Sequence, residues 1–201
     1  MIMTKLLGNR DKGIPFIVSA PAGTGKNTLV DMLIAEFSTC VKESVSSTTR
    51  KRREGEIDGV HYHFMSSDDF AAKVLQGEFL EHAEVFGNYY GTCRNHVENG
   101  INAGCHIFLV IDTNGAMMLR EKKFPGVFIF ISPPSREDLE KRLLGRGTET
   151  VKAVRQRLEE VDRELEAASC YDYNIINDDL KIAYQVLKSI VVAEEHKICG
   201  E

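Results

Sequence analysis

The sequence predicts an α/β fold: a parallel sheet flanked by helices, built on a phosphate-binding loop and carrying two inserted segments. Three observations lead there. Short, continuous apolar runs recur along the 201 residues, as strands covered on both faces require. Most of these runs are followed by a pattern of helical period. Between the first run and its helix stands "SAPAGTGKNTLV" (19–30), a glycine-rich turn where strand gives way to helix.

The first strand is "IPFIVSA" (14–20), and the "NTLVDMLIAEF" after it sets Leu29, Met32, Leu33 and Phe37 on one helical face. "CHIFLVID" (105–112) and "GVFIFIS" (126–132) are further strands, preceding the helical patterns "NGAMMLREKK" and "SREDLEKRLL". "YNIIN" (173–177) leads into "DDLKIAYQVLKSIVVAEE", a terminal amphipathic helix opened by aspartates. Residues 44–92 differ in character, being rich in Ser, Thr, Arg, Gly, His and Tyr with short polar–apolar alternation. They read as an inserted subdomain, part strand and part loop, with one short helix near 67–76. A second insertion, 136–171, is charged and helical, interrupted by Gly145 and Gly147. The core is then 1–43, 93–135 and 172–201.

Composition sets limits on function. A net charge of −5 argues against bulk binding to nucleic acid or an anionic membrane, both of which need an excess of Lys and Arg. The five cysteines are odd in number and none has metal-pair spacing, so they read as reduced thiols of a cytoplasmic protein. No signal-peptide core and no membrane-length apolar run is found.

The glycine-rich turn approaches the pattern G-x-x-x-x-G-K-[ST], whose unpaired N–H groups and helix dipole bind phosphate oxygens. Gly23, Gly25 and Lys26 are in place, while Ala20 replaces the first glycine and Asn27 fills the hydroxyl position. An alanine is tolerable at the strand exit if φ stays negative. Asn27 offers a neutral amide oxygen to a magnesium ion in place of a short hydroxyl, and Thr28 brings a hydroxyl one position later. A bare strand–helix turn with an exposed lysine would look the same at this level.

Downstream, "SVSSTTRKRREGEIDGVHYHF" (44–64) carries Arg50, Lys51, Arg52 and Arg53 in a hydroxyl-rich loop. Arginine forks match phosphate geometry, though such a run is often only solvated surface. "GEFLEHAEVFGNYYGTCRNHV" (77–97) adds Glu81 and Glu84, both expected to be buried, and a "GNYYGT" turn whose tyrosine hydroxyls suit phosphate. A hairpin with aromatic core residues would give the same pattern. Asp112 closes its strand at the carboxyl edge, where ligands of open α/β sheets gather; equally, it suits the N-cap of the next helix.

Taken in order, "SAPAGTGKNT", "SVSSTTR…GEIDGVHYHF", "GEFLEHAEVFGNYYGT", "FLVIDTNGA", "RLLGRGTET" and "IINDDL" resemble the guanylate kinases over about residues 14–195. The resemblance implies transfer of the γ-phosphate of ATP to GMP, and to dGMP, with Mg²⁺ as the cofactor. By position, Ala22, Gly23, Thr24, Gly25, Lys26, Asn27 and Thr28 fall on the ATP phosphate loop, with Arg142 and Asn177 nearer the adenine. Ser46, Arg50, Arg53, Tyr62, Glu81, Tyr90, Thr92 and Asp112 fall on the GMP site. Arg50, Arg53, Tyr62 and Tyr90 would serve the 5′-phosphate, Glu81 the guanine N1–H and 2-amino group, and Ser46 and Thr92 the O6 side. Lys26 and Arg50, with the lid arginines Arg146 and Arg157, fall on the transferring phosphates. Asn27 and Asp112 are the candidate metal-side groups. The residue two before Asp112 is often acidic in this family, and here it is Val110.

Two other readings remain open on sequence. One is a guanylate-kinase-like binding module without catalysis; the other is a kinase of this fold with a different acceptor. The resemblance implies a small-molecule partner, no nucleic acid or membrane, and a monomer or homodimer.

Overall fold

The computed structural model describes residues 5–145 and 161–198, the side chains of 142–145 excepted. Five strands form one wholly parallel sheet: β1 (Pro15–Ser19), β2 (Val41–Glu43), β7 (His106–Val110), β8 (Val127–Ser132) and β9 (Tyr173–Ile176). Their order is β2-β7-β1-β8-β9. β1, β7 and β8 are apolar on both faces because both are covered. Phe16, Val18 and Phe108 pack under α1 (Lys26–Glu36) and α6 (Leu180–Glu195). Ile17, Ile107, Leu109 and Phe128 pack against α3 (Arg94–Asn102) and α4 (Thr113–Glu121). Alternation along each strand sends neighbours to opposite faces.

The second sheet, in the order β4-β3-β6-β5, holds β3 (Ser47–Thr48), β4 (His63–Phe64), β5 (Phe79–Val85) and β6 (Asn88–Cys93). β5 and β6 form an antiparallel hairpin whose two turn residues, Phe86 and Gly87, have φ of 50° and 74°, as the tight hairpin turn demands. The short helix α2 (Ser67–Leu75) is capped by Ser66, whose hydroxyl accepts from Asp69 N–H. It docks through Phe70, stacked on Phe79 at 4.6 Å and Tyr89 at 5.7 Å.

Two core elements went unread in the sequence. α3 buries only Val97 fully, too little apolar surface to announce a helix. β2 is three residues long with one buried. Glu84 departs from expectation: Glu81 is buried while Glu84 is exposed, because residues an odd number apart on a strand face opposite ways. After α5 (Arg136–Gly145), residues 161–167 are helical. Val161 and Leu165 pack there on Leu139.

A buried polar clasp ties the far edge of the sheet to both ends of the chain. His106 Nδ1 accepts the Ile14 N–H at 3.1 Å, which leaves the ring proton on Nε2, 2.8 Å from Glu195 Oε2. Glu195 Oε1 accepts from Asn9 N at 2.6 Å. Both partner side chains are fully buried, and burial lowers the basicity of His106 while Glu195 opposes the shift. The clasp is therefore a close, buried contact between an imidazole and a carboxylate, with the Ile14 and Asn9 amides hydrogen-bonded to its two sides. Glu195→Ala strands the Asn9 amide without its acceptor and removes the carboxylate packed against His106. It is expected to cost about 3 kcal/mol of unfolding free energy, read as a lower urea midpoint at unchanged slope.

Candidate active site

All five core strands run the same way, so their carboxyl ends share one edge, and the chain order reverses there between β7 and β8 on either side of β1. The loop leaving β1 is shaped at that edge. Gly23 and Gly25 have φ of 90° and 88°, a conformation L side chains rarely adopt. Thr24 is buried and its Oγ1 donates to Pro21 O at 2.7 Å, closing the loop on itself. Asn177, at the end of β9, donates from Nδ2 to Thr24 O at 2.6 Å. A Cβ on Gly25 would lie 2.7 Å from that nitrogen, so only glycine fits beneath the clamp. Gly25 caps α1 without a side-chain bond, and no acidic residue occupies the first turn. The positive end of the helix is left for an anion.

Lys26 begins α1 and turns its ammonium to the Ile111 carbonyl at 3.3 Å. Burial pushes the ammonium below the usual lysine range, against the pull of Glu164, Asp112 and Glu43. It lies between two cavities and lines both. One, of about 400 Å³, is bounded by Ala20, Ala22, Asp112, Thr113, Arg163 and Glu164, among others. The other, of about 420 Å³, is bounded by Asn27, Asp31, Glu43, Ser46, Tyr62 and Val110, among others. A larger, shallow concavity of about 550 Å³ runs along α6 past Ile182, Val186 and Ile190, but only Lys181 brings a charge there.

The second cavity is fringed by the basic loop. Arg50 forms a two-pronged pair with Glu56, at 2.6 and 3.1 Å, and lies over the Tyr62 and Phe64 rings at 5.3 and 5.7 Å. Tyr62 meets Tyr90 edge-on at 5.9 Å. The Arg50 guanidinium and the Arg53 N–H together hold the Glu56 carboxyl down at about 2, so Glu56 stays ionised. Arg50 is thus aimed and half-neutralised, while Lys51, Arg52 and Arg53 are exposed.

Glu81 is 3% exposed. Burial lifts its carboxyl to about 7, against the Thr92 hydrogen bond and with help from nearby Asp112. Thr92 Oγ1, fully buried, donates to Glu81 Oε1 at 2.5 Å, leaving Oε2 toward Gly115, where a Cβ would sit 2.5 Å away. The missing side chain at 115 makes room for the carboxylate. Asp112 is an N-cap after all, its Oδ1 accepting from Gly115 N–H at 2.7 Å, and it also lines the Lys26 cavity.

The structure therefore brings Lys26, Asn27, Ser46 and Tyr62 to one cavity, and Ala22 and Asp112 to its neighbour. Arg50 and Tyr90 reach the first through Tyr62, and Thr92 is joined to Glu81. Arg53 is exposed and Thr28 is exposed on α1. Asn177 is buried and clamps the loop through Thr24. Arg142, Arg146 and Arg157 lie outside the described side chains. Sequence reasoning missed Glu43, Arg163 and Glu164, which sit in no recognisable motif; a lone Glu ending a three-residue strand carries no periodic signal.

Sheet order and loop define a nucleotide-binding α/β protein of the phosphate-loop type. Residues 12–194 match the family model described as guanylate kinase. The chain is 52% identical over 194 residues to the guanylate kinase of Protochlamydia amoebophila, covering 96% of this chain and 98% of that protein. It is 48% identical to that of Vibrio cholerae, covering 92% and 90%. The crystal structure of guanylate kinase from Anaplasma phagocytophilum superposes with a TM-score of 0.74 at 33% identity, over 97% of this chain and 92% of that one. The chain belongs to the guanylate kinase family.

The raised Glu81 carboxyl has a thermodynamic consequence. A carboxyl whose folded value, about 7, exceeds its unfolded value near 4.3 binds more protons when folded between the two. Its contribution to stability is then present below pH 4 and lost as pH rises toward 7. Glu81→Gln removes that slope. The stability difference between the unliganded wild type and the variant is expected to change by about 3 kcal/mol between pH 4 and pH 8, measured by urea unfolding across the range.

Proposed function

We propose that the protein transfers the γ-phosphate of Mg-ATP to GMP, giving ADP and GDP, and accepts dGMP as well. The observation that carries this reading is one buried carboxylate, Glu81, held by Thr92 and near Asp112, which lines one of the two Lys26 cavities. Guanine presents two donors, N1–H and the 2-amino group, where adenine presents a lone pair. A site that leaves a buried carboxylate unpaired with the wrong base discriminates by on the order of 10⁴.

Phosphoryl transfer needs alignment and charge neutralisation more than covalent help. The loop N–H groups of 22–28 and the α1 terminus take the β- and γ-phosphates of ATP. Arg50, Tyr62 and Tyr90, with Arg53 at the rim, take the GMP phosphate. Glu56 holds the Arg50 fork in place until phosphate replaces or joins it. Lys26 belongs to both cavities, so its ammonium can stay with the phosphoryl group as it crosses. Its desolvation strengthens that attraction. Arg142, Arg146 and Arg157 complete the reading as lid groups over ATP, closing to exclude water from the transfer.

The residues fit a divalent cation: Asp112, Glu43 and the Asn27 amide surround the Lys26 cavities with oxygen donors. Among the described residues no three His, Cys, Asp or Glu side chains converge to hold a metal. That suits Mg²⁺, which keeps waters and nucleotide oxygens as most of its shell. When bound it neutralises the charge shared by the β- and γ-phosphates. We place the protein in the cytoplasm, in keeping with four described cysteines that are all free thiols; no described helix is long and apolar enough to cross a membrane.

A coupled ADP-release assay with Mg-ATP and each nucleoside monophosphate tests the reading. Turnover is expected with GMP and dGMP and little with AMP, CMP or UMP. A folded protein that binds GMP without turnover would instead be a binding module. Glu81→Gln is expected to lower kcat/KM for GMP by at least about 10²-fold while ATP binding, followed by calorimetry, stays within twofold.

A further inference from the structure

The acid missing at 110 has a counterpart on the adjoining strand. β2 lies beside β7 in parallel register, with Glu43 opposite Phe108 and Ser44 N donating to Phe108 O at 2.9 Å. Glu43 is the last residue of β2, at the carboxyl edge, and it lines the same cavity as Val110, Asn27 and Lys26. Its side chain is mostly withdrawn from water, yet it makes no hydrogen bond or ion pair with any described residue. A carboxylate in that condition is costly, and Asp31 nearby worsens it. Of the groups that act on it, Lys26 alone is a cation, and Lys26 is shared with Asp112 and Glu164.

Those features describe an acceptor set still short of positive charge, at the point where two phosphorylated nucleotides meet. Anionic substrates on both sides would repel Glu43 unless a cation stood between. The apolar Val110 beside it cannot supply a ligand. We propose that Glu43 is the carboxylate by which this chain engages the divalent cation of the reaction, directly or through one water, in place of an acid at 110. Asn27 lines the same cavity, and its neutral amide suits a shell whose charge comes from a strand rather than from the loop. Asp31, one turn along α1 from Asn27, adds to the negative field that draws the cation in.

The inference rests on the kinase reading but is tested apart from turnover. Mn²⁺ is titrated into protein with saturating ADP, and free Mn²⁺ is counted by electron paramagnetic resonance, without GMP. Glu43→Gln is expected to weaken Mn²⁺ binding to the ADP complex by about tenfold or more, with metal-free ADP binding unchanged. Adding Val110→Asp to that variant is expected to restore most of the loss, because the carboxylate returns to the same cavity from β7. In activity assays the half-saturating Mg²⁺ should rise for Glu43→Gln and fall back in the double variant. Should Glu43→Gln fold poorly by circular dichroism, Glu43→Asp is titrated instead, and the shorter side chain should weaken Mn²⁺ measurably. Unchanged Mn²⁺ affinity in a folded variant overturns the proposal and leaves Glu43 as a counter-ion to Lys26 only. Mn²⁺ binding that follows Glu43, with no GMP turnover in the wild type, would keep Glu43 as the carboxylate of a divalent-cation site and reject the kinase reading, and with it the cation's part in a reaction.

Discussion

The Lys26 ammonium, withdrawn from water at the carboxyl edge of the parallel sheet, is the constraint on which the site depends. A lysine in that position is unfavourable alone. It is stabilised by the Ile111 carbonyl at 3.3 Å and by carboxylates drawn from three different elements: Glu43 from β2, Asp112 at the start of α4, and Glu164 from the segment after α5. Each of those elements must reach the same edge, and parallel strand direction makes that possible. Carboxyl groups thus gather round the ammonium before any nucleotide arrives. A phosphate entering this region would meet those carboxylates, and the basic loop at 50–53 carries charge of the opposite sign.

Polar groups elsewhere in the site are held by partners before substrate binds. Glu56 aligns Arg50, Thr92 aligns Glu81, and Asn177 clamps the loop through Thr24. Such preorganisation lowers the ordering cost that binding would otherwise meet. Glu81 shows the trade involved. Its burial raises the carboxyl to about 7 and weakens the empty fold above that value, while Thr92 holds the group in a single orientation.

The opposite edge of the sheet does unrelated work. The His106–Glu195 clasp joins β7, the end of α6 and the segment around Asn9.

Much of this is legible in the sequence. Continuous Ile, Val and Phe runs mark β1, β7 and β8 because both faces of a central parallel strand are covered. The glycine-rich turn and the Asp112 alternatives were visible as well, since local backbone demands leave local residue signatures. α3 and β2 were not, because each buries a single residue fully and so has no periodicity to read. Glu81 and Glu84 looked equivalent in sequence until the pleat of β5 separated them. Asn177 sat in a recognisable motif, yet its clamp on Thr24 joins residues 153 apart. Glu43 and Glu164 had no signature at all, because a carboxylate becomes part of a site only when distant strands and helices bring it beside Lys26. By itself the sequence determined the alternation of elements and the chemistry of its loops; the tertiary structure decided which charges meet, because electrostatic neighbours are set by packing across the sheet and not by spacing along the chain.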